Sequence, residues 1–150
     1  MSLHISSTTR SVNQLRPSTK WELRNLIESE LDRQGPDADL NHIDVSEITD
    51  MSFLFYSFDV HNIKIDMWNV SNVKTMEGMF YGLTDFTGRS TSLDGVNCDL
   101  SSWDVSNVIN MNGMFRFCEN FNSDLSKWNV TNVKAANVMF EKCYKLNCDL

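Results

Sequence analysis

The sequence WDVSNVINMNGMF, residues 103–115, recurs in closely similar form at two other places in the chain. WNVSNVKTMEGMF begins at Trp68, WNVTNVKAANVMF begins at Trp128, and the more divergent IDVSEITDMSFLF begins at Ile43. Trp103 and Trp128 are 25 positions apart, whereas Trp68 and Trp103 are 35 apart, so one unit carries ten additional residues. Repetition at a fixed period of this length is typical of proteins built from stacked, similar units.

Aligning the units produces nine largely apolar columns. Because a single unit cannot bury its apolar face alone, neighbouring units are expected to stack and share one core. Each column then becomes a ladder with a step of about 4.8 Å, the spacing of neighbouring strands. The columns are Ile43/Trp68/Trp103/Trp128, Val45/Val70/Val105/Val130, Ile48/Val73/Val108/Val133, Met51/Met76/Met111/Ala136, Leu54/Met79/Met114/Met139, Phe55/Phe80/Phe115/Phe140, Phe58/Leu83/Cys118/Cys143, His61/Phe86/Phe121/Leu146 and Leu40/Ile65/Leu100/Leu125/Leu150.

Each unit also has a pattern of local structure. DLSSWDV and DLSKWNV are rich in Leu, Trp and Val, which favours an extended strand. The Ser-Asn or Thr-Asn pair that follows is typical of a turn. The Met-x-x-Met-Phe-x-x-Cys segment has the spacing of a short helix or 3₁₀ turn. A strand, a turn and a short helix in each coil predict an α/β repeat solenoid, a right-handed leucine-rich-repeat-like superhelix of about four coils.

The region before the first repeat predicts a capping helix. Thr19-x-x-Glu22 is a capping-box pattern, and Gly35-Pro36 is a helix stop after KWELRNLIESELDRQ. We therefore expect a flexible tail at 1–18 and an N-terminal helical cap at 19–39. Residues 40–150 then form the repeats, with an insertion near 87–96 and a truncated last coil that begins with NCDL at 147–150.

The repeats share the consensus W-D/N-V-S/T-N-V-x-x-M-x-x-M-F-x-x-C-x-x-F/L-N-x-D-L. This consensus resembles the repeat of BspA-like bacterial surface proteins, the DUF285 or mycoplasma-lipoprotein-associated group. The resemblance covers residues 19–150. The resemblance implies a leucine-rich-repeat-like fold and a role in adhesion to host or cell-surface proteins. It also implies display at the cell surface or secretion. The polar N-terminal stretch contains no apolar signal segment, so a cytoplasmic location stays open. The family has no shared catalytic motif.

Charge and motifs disfavour several classes of function. Thirteen basic and twenty acidic residues give a net charge of −7, which argues against general binding to nucleic acid or to anionic lipid. No apolar run reaches the roughly 18 residues that a membrane span needs. The chain lacks G-x-S-x-G, P-loop and H-E-x-x-H motifs, so we expect neither an enzyme nor a cofactor.

The cysteines and one acidic column offer alternative chemistry. Cys118 and Cys143 share a column at a spacing that suits a disulfide, yet its other members are apolar, so buried thiols are favoured. Cys98 and Cys148 lie two coils apart, too far to bridge, and the Cys143-x4-Cys148 spacing does not suit zinc. One column holds Asp39, Asp99, Asp124 and Asp149, interrupted by Lys64, and could bind calcium. Turn capping is the favoured interpretation of that column, and we expect no metal.

The candidate binding residues are those that depart from the packing columns. The insertion TGRSTSLDGV offers Arg89 and Asp94 for polar recognition. Tyr56 and Tyr81 share one repeat position, which Arg116 and Glu141 occupy in later units. Phe117 lies one position further along. We expect these aromatic side chains to be exposed and to line a contact surface for a protein partner. The alternative is a structural module that forms homodimers through its open C-terminal coil.

Overall fold

The computed structural model describes residues 15–82 and 96–147. Within them there is one helix, α1 (Lys20–Gln34), and no extended strand. The predicted capping box forms: the Thr19 hydroxyl accepts from the Glu22 N–H, and the Glu22 carboxylate accepts from the Thr19 N–H. Gly35 ends α1 with a positive φ (88°) and an extended ψ (−173°), and its N–H donates to the Leu31 carbonyl. The predicted helix and its caps are therefore confirmed.

α1 lies against the first repeat. Leu23 and Ile27 are fully buried in the common core. On the neighbouring face, the Arg24 guanidinium donates to the carbonyls of Phe53, Leu54 and Tyr56 at 2.7–3.2 Å. Backbone carbonyls need donors wherever water is excluded, so Arg24 supplies hydrogen bonds that a preceding repeat would otherwise make. The helix thus covers the first repeat with apolar side chains and with hydrogen-bond donors.

Successive repeats are joined in the predicted register. Isolated parallel bridges pair Asp50 with Thr75, Thr75 with Asn110, and Asn110 with Ala135, at the same offsets of 25, 35 and 25 positions as the sequence repeat. A further bridge joins Asp39 to Lys64. Single bridges, rather than extended strands, are the only sheet-like pairing among the described residues.

Three of the four repeats begin with tryptophan, and these tryptophans make the same hydrogen bond. Each indole Nε1–H donates to a carbonyl of the preceding unit: Trp68 to Leu40 at 2.9 Å, Trp103 to Ile65 at 3.0 Å, and Trp128 to Leu100 at 2.9 Å. A buried indole N–H needs such an acceptor. An asparagine ladder does the same work at the surface, since Asn72, Asn107 and Asn132 donate to carbonyls of Ser46, Ser71 and Ser106.

The predicted strand in each repeat is wrong. In DLSSW the Trp103 N–H donates to the Leu100 carbonyl at 3.1 Å, which closes a turn. The Asp99 carboxylate accepts from both the N–H and the hydroxyl of Ser101, and this local bonding competes with extended pairing.

Of the two structures predicted for the methionine segment, a short helix or a 3₁₀ turn, the structure shows turns. Met114 N–H donates to the Met111 carbonyl, as in a 3₁₀ turn, but the intervening Gly113 is left-handed (φ 59°) and its N–H donates to Asn137 in the next repeat. Because a left-handed residue interrupts a right-handed helix, the segment alternates between bonds within the unit and bonds to the neighbouring unit. The structure thus describes stacked repeats, and the right-handed leucine-rich-repeat-like superhelix stays a prediction.

The core runs through all the repeats as stacked side chains. The rings of Phe55, Phe80, Phe115 and Phe140 stack in sequence, with centroids 5.2, 5.5 and 5.7 Å apart. Val96, the last residue of the predicted insertion, is 3% exposed and belongs to this core. It lies 25 positions before buried Phe121, so the two residues occupy the same position of consecutive repeats.

Candidate functional site

Four aromatic side chains from three repeats form one surface feature, which we name the aromatic ridge: Phe53, Tyr56, Tyr81 and Phe117. Tyr56 lies 6.0 Å from both Phe53 and Tyr81, measured between ring centroids and nearly edge-on to each. Tyr81 continues the contact to Phe117 at 5.7 Å. Edge-to-face pairs at these distances are favourable. The structure therefore brings the three predicted aromatic residues together and adds Phe53, which the sequence analysis missed.

The backbone at Phe53 is in an unusual conformation. Its φ is 53°, in the left-handed region, where the equivalent residues of the next two repeats are Gly78 and Gly113. A non-glycine residue there carries strain. A Cβ built on Gly78 would come within 3 Å of several atoms of the Phe53 ring, so the absence of a side chain at 78 provides the seat for that ring. The signal available for Phe53 was a bulky residue at a repeat position that holds Gly78 and Gly113 in the next two units. In the last unit this position holds Val138, which also has a positive φ (50°).

The Arg116 guanidinium lies at the Phe117 end of the aromatic ridge. The Arg116 guanidinium lies 4.9 Å from the Phe117 ring centroid and 5.7 Å from that of Tyr81, within cation–π range. Its Nη1 donates a long hydrogen bond, 3.4 Å, to the Tyr81 hydroxyl. Its Nε lies 2.5 Å from Glu141 Oε2, and this ion pair holds the guanidinium in place. The repeat position that holds tyrosine in two units thus holds an ion pair in the next two.

The predicted binding residues differ in accessibility. Tyr56 is 43% exposed and Phe53 42%, whereas Tyr81 is partly buried. Phe117 is only 7% exposed, so its predicted exposure is wrong. Arg116 and Lys142 both lie over its ring, and these two cations cover the face that would otherwise meet solvent. Arg89 and Asp94 lie outside the described residues.

The acidic column is committed to turns. Asp39, Asp99 and Asp124 each accept the N–H of the residue two positions later. For Asp99 and Asp124, hydrogen bonds from the following Ser101 and Ser126 lower the pKa of the carboxyl. The described residues contain no group of three His, Cys, Asp or Glu side chains placed to hold one metal ion. Turn capping is confirmed at these three positions, and Asp149 lies outside the described residues.

The cysteines are thiols with their own hydrogen bonds. The Cys118 Sγ–H donates to the Phe80 carbonyl at 2.7 Å, and the Cys143 Sγ–H donates to the Phe115 carbonyl at 3.0 Å. Burial raises the pKa of Cys118 well above its usual value, and raises that of Cys143 to about 11. Cys98, Cys118 and Cys143 are free thiols. The prediction of a buried thiol is confirmed for Cys118, whereas Cys143 is only partly buried, and Cys148 lies outside the described residues.

With this geometry in place, comparison with known families identifies the repeat. Residues 91–150 match the model of a family described as "Mycoplasma protein of unknown function, DUF285". The predicted resemblance to DUF285 is thereby confirmed over that stretch, which contains the units beginning at Trp103 and Trp128. Searches among curated proteins and among solved structures find no match to the chain. No helix among the described residues is long and apolar enough to cross a membrane.

Proposed function

We propose that this chain is a non-catalytic protein-recognition module of the adhesion type, which binds a host or cell-surface protein through the aromatic ridge. One observation carries the proposal: Phe53 and Tyr56 are more than two-fifths exposed while they contact each other, and Phe53 has a left-handed backbone where the next two repeats have glycine. Exposed aromatic clusters are uncommon on surfaces that only meet water. Tyr and Arg are also the residues most enriched at binding hot spots.

The side chains of the aromatic ridge are already held in place, which favours binding of a partner. Tyr56, Tyr81 and Arg116 are held at one position of successive repeats, and Arg116 is fixed by Glu141. Side chains that are already ordered lose little entropy on binding, which favours affinity. The exposed edges of Phe53 and Tyr56 would contribute apolar contact area, and the Tyr81 hydroxyl and Arg116 would contribute polar contacts.

A non-catalytic role is supported by how the described reactive groups are used. The carboxylates of Asp99 and Asp124 accept turn hydrogen bonds. The thiols of Cys118 and Cys143 donate to backbone carbonyls and have raised pKa values, and a thiol with a raised pKa is a poor nucleophile. These carboxylates and thiols therefore stabilise the folded structure through their hydrogen bonds.

The experiment is a biosensor comparison on a panel of purified extracellular-matrix proteins. The test variant is Phe53→Gly, which removes the ring and places glycine where Gly78 and Gly113 already stand. We expect it to keep its thermal stability and to weaken binding by about tenfold or more, the scale of an aromatic hot spot. The control is Tyr144→Ser, which removes an aromatic side chain that is 71% exposed and is not one of the four ridge residues.

Two results would count against the proposal. Equal binding by Phe53→Gly and the unaltered chain would remove the ridge as the contact surface. No binding to any matrix protein in the panel would remove the adhesion role. Deletion of 87–95, leaving the core residue Val96 in place, tests the predicted contribution of Arg89 and Asp94 in the same assay.

The alternative, self-association through the C-terminal repeat, also has an observation in its favour. Val130 and Val138 are each 51% exposed, although Val130 stands in a column whose other members are buried. Exposed apolar groups at an open end favour pairing. Light scattering over a tenfold range of protein concentration tests this alternative, since a dimer would raise the mean mass as concentration rises.

A further inference from the structure

Two turns of the stack have the sequence pattern of an N-linked glycosylation site. The pattern is asparagine followed two residues later by serine or threonine, with no proline between them. It occurs as NVS at residues 69–71 and as NVT at residues 129–131, and none of the chain's other asparagines has Ser or Thr at this distance. Both asparagines stand at one repeat position, which holds Asp44 and Asp104 in the first and third repeats.

This repeat position faces outward in all four units. The side chains of Asp44, Asn69, Asp104 and Asn129 are all exposed. Asn69 belongs to an inner repeat, which is bridged to a described repeat on each side, so its exposure does not depend on either end of the chain. An asparagine that accepts a sugar must lie on the surface in this way, because an enzyme has to reach its side-chain nitrogen.

The turn at each site uses the amide oxygen of the asparagine. Asn69 Oδ1 accepts from the Ser71 N–H at 3.1 Å and from the Ser71 hydroxyl at 2.6 Å. Asn129 Oδ1 accepts from the N–H and the hydroxyl of Thr131 at the same two distances. Within residues 15–82 and 96–147, neither Nδ2 donates to a protein acceptor. The nitrogen to which a sugar would be joined is thus not used by the described part of the fold.

The aspartates show that the turn does not require an amide. Asp104 Oδ1 accepts from the N–H and the hydroxyl of Ser106 at 3.0 and 2.6 Å, the same two bonds that Asn69 accepts from Ser71. A carboxylate therefore holds this turn as well as an amide does. The NH₂ group is the part of Asn69 that the turn leaves unexplained.

The hydroxyl of Ser71 is placed to assist a reaction at the Asn69 amide. An amide nitrogen is a weak nucleophile, because its lone pair is delocalised into the carbonyl group. A hydrogen bond to Oδ1 draws electron density toward the oxygen and makes the Nδ2–H more acidic. The bond from the Ser71 hydroxyl to Asn69 Oδ1 has this geometry in the folded chain.

The alternation of acid and amide leaves room for a sugar at each asparagine. Neighbouring units of such a stack are about 5 Å apart, so Asn69 and Asn129, which have the unit of Asp104 between them, are about 10 Å apart. A pyranose ring is wider than one step of the stack. Sugars in alternate units therefore fit side by side, whereas sugars in adjacent units would crowd each other.

We propose that Asn69 and Asn129 are acceptors for N-linked sugars, with a sugar diphosphate as the donor. A glycosyltransferase of the producing cell joins Nδ2 to the anomeric carbon of the sugar. The bond from Nδ2 to that carbon forms, the bond from the carbon to the phosphate oxygen breaks, the diphosphate leaves with the bonding electron pair, and one Nδ2 proton passes to a base. The proposal uses none of the ridge residues, so its failure would leave the ridge proposal intact.

The test is mass spectrometry of the full chain purified from the cells that naturally produce it. We expect sugar on Asn69 and Asn129 and none on Asn72, which lies three positions after Asn69 and lacks the hydroxyl residue. Fragment ions that retain the sugar distinguish these neighbours. A ladder of masses that differ by single sugars would indicate a nucleoside diphosphate donor, and one fixed oligosaccharide would indicate a lipid diphosphate donor.

A matched pair of variants tests the acceptor pattern. Ser71 and Ser106 stand at the same repeat position, and each hydroxyl donates to the residue two positions earlier at 2.6 Å. We expect Ser71→Ala to lose the sugar on Asn69 and to keep the one on Asn129. Ser106→Ala removes the same hydrogen bond next to an aspartate and should keep both sugars. Loss of sugar from Asn69 in both variants would mean that occupancy follows the stability of the turns, and would overturn the assignment.

Two further results would overturn the proposal. An unmodified Asn69 in the natural chain would mean that its amide only separates the like charges of Asp44 and Asp104, and an unmodified Asn129 would remove the second site in the same way. Sugar that remains on Asn69 in the Ser71→Ala variant would show that the enzyme does not read the Asn-x-Ser pattern.

Discussion

The first and last described repeats are built on the same sequence pattern but lie in different surroundings. Val45 in the first repeat is 1% exposed, whereas Val130 in the same column is 51% exposed. The first repeat is covered by α1, with Leu23 and Ile27 over its core and Arg24 on its carbonyls. Among the described residues the last repeat has a neighbour on one side only. The difference teaches that a column residue is buried by the adjacent unit and not by its own.

The largest expected effect compares two members of the phenylalanine column. Phe115 is fully buried, while Phe140 is partly exposed on the lining of the open hollow. We expect Phe115→Ala to lower the free energy of unfolding by about 3–5 kcal/mol, and Phe140→Ala by less than about half of that, because less contact is lost. Urea unfolding of both variants measures the difference. Equal losses would mean that the last repeat is covered in solution.

The next effect concerns the polar cover of the first repeat. Arg24→Met keeps much of the side-chain length but removes the donors to three carbonyls. We expect a loss of about 2–3 kcal/mol in unfolding free energy, since these hydrogen bonds come from a charged group and their loss takes the Arg24 donors from the Leu54 and Tyr56 carbonyls, while the Phe53 carbonyl keeps the Tyr56 N–H. Arg33→Met is the control on the same helix, because Arg33 is exposed and pairs with the neighbouring Glu30. A similar effect of both variants would contradict a capping role for Arg24.

A smaller effect is expected from the tryptophan ladder. Trp103→Phe removes the donor to the Ile65 carbonyl, and Trp128→Phe removes the donor to the Leu100 carbonyl. We expect Trp103→Phe to cost about 1–2 kcal/mol and Trp128→Phe less, because water can reach the partly exposed end of the stack. Thermal unfolding followed by circular dichroism gives both values. A greater loss at Trp128 would show that the last repeat is the better packed of the two.

The smallest effect concerns pH. Hydrogen bonds from Ser46 and Ser106 lower the pKa of the Asp44 and Asp104 carboxyls in the folded chain. Their stabilisation is therefore complete above the unfolded-state pKa near 4 and is lost as pH falls through the lower folded-state pKa. In the second repeat the equivalent residue is Asn69, whose amide oxygen accepts from the N–H and the hydroxyl of Ser71. The double variant Asp44→Asn/Asp104→Asn should therefore fold normally.

The comparison for this variant is the melting temperature at pH 7 and at pH 3. We expect the unaltered chain to lose more stability between these two values than the double variant does, because the variant has two fewer carboxylates to protonate. An identical fall in melting temperature would show that these two turns make no contribution to acid sensitivity.

Much of the architecture could be predicted because it is encoded locally or by period. The capping box at Thr19 and Glu22 forms as expected, and the bridges at residues 50, 75, 110 and 135 follow the register of the repeat. The turns in place of a strand were not predicted, and the sequence left open whether the methionine segment is a short helix or a turn. The spacing Met111 to Met114 suits a helix and also suits a turn whose alternate N–H groups bond to the next unit. Only the left-handed Gly113 separates the two.

Part of the candidate site could also be predicted from the repeat register. Tyr56 and Tyr81 share a repeat position, so their contact followed from the register once the units stacked. Phe117 was expected to be exposed, but Arg116 and Lys142 cover it from two different repeats. A side chain covered by residues from another unit carries no local signal of its burial.

By itself the sequence determined the repeat register, the capped N-terminal helix and the identity of the apolar columns, because each depends on local spacing or on periodicity. Only the tertiary structure decided which members of a column are buried, and that Arg24 of the helix supplies donors to carbonyls of the first repeat. These properties depend on what lies on either side of a unit. Nearly identical units can therefore differ in burial and in hydrogen-bond partners according to their position in the stack.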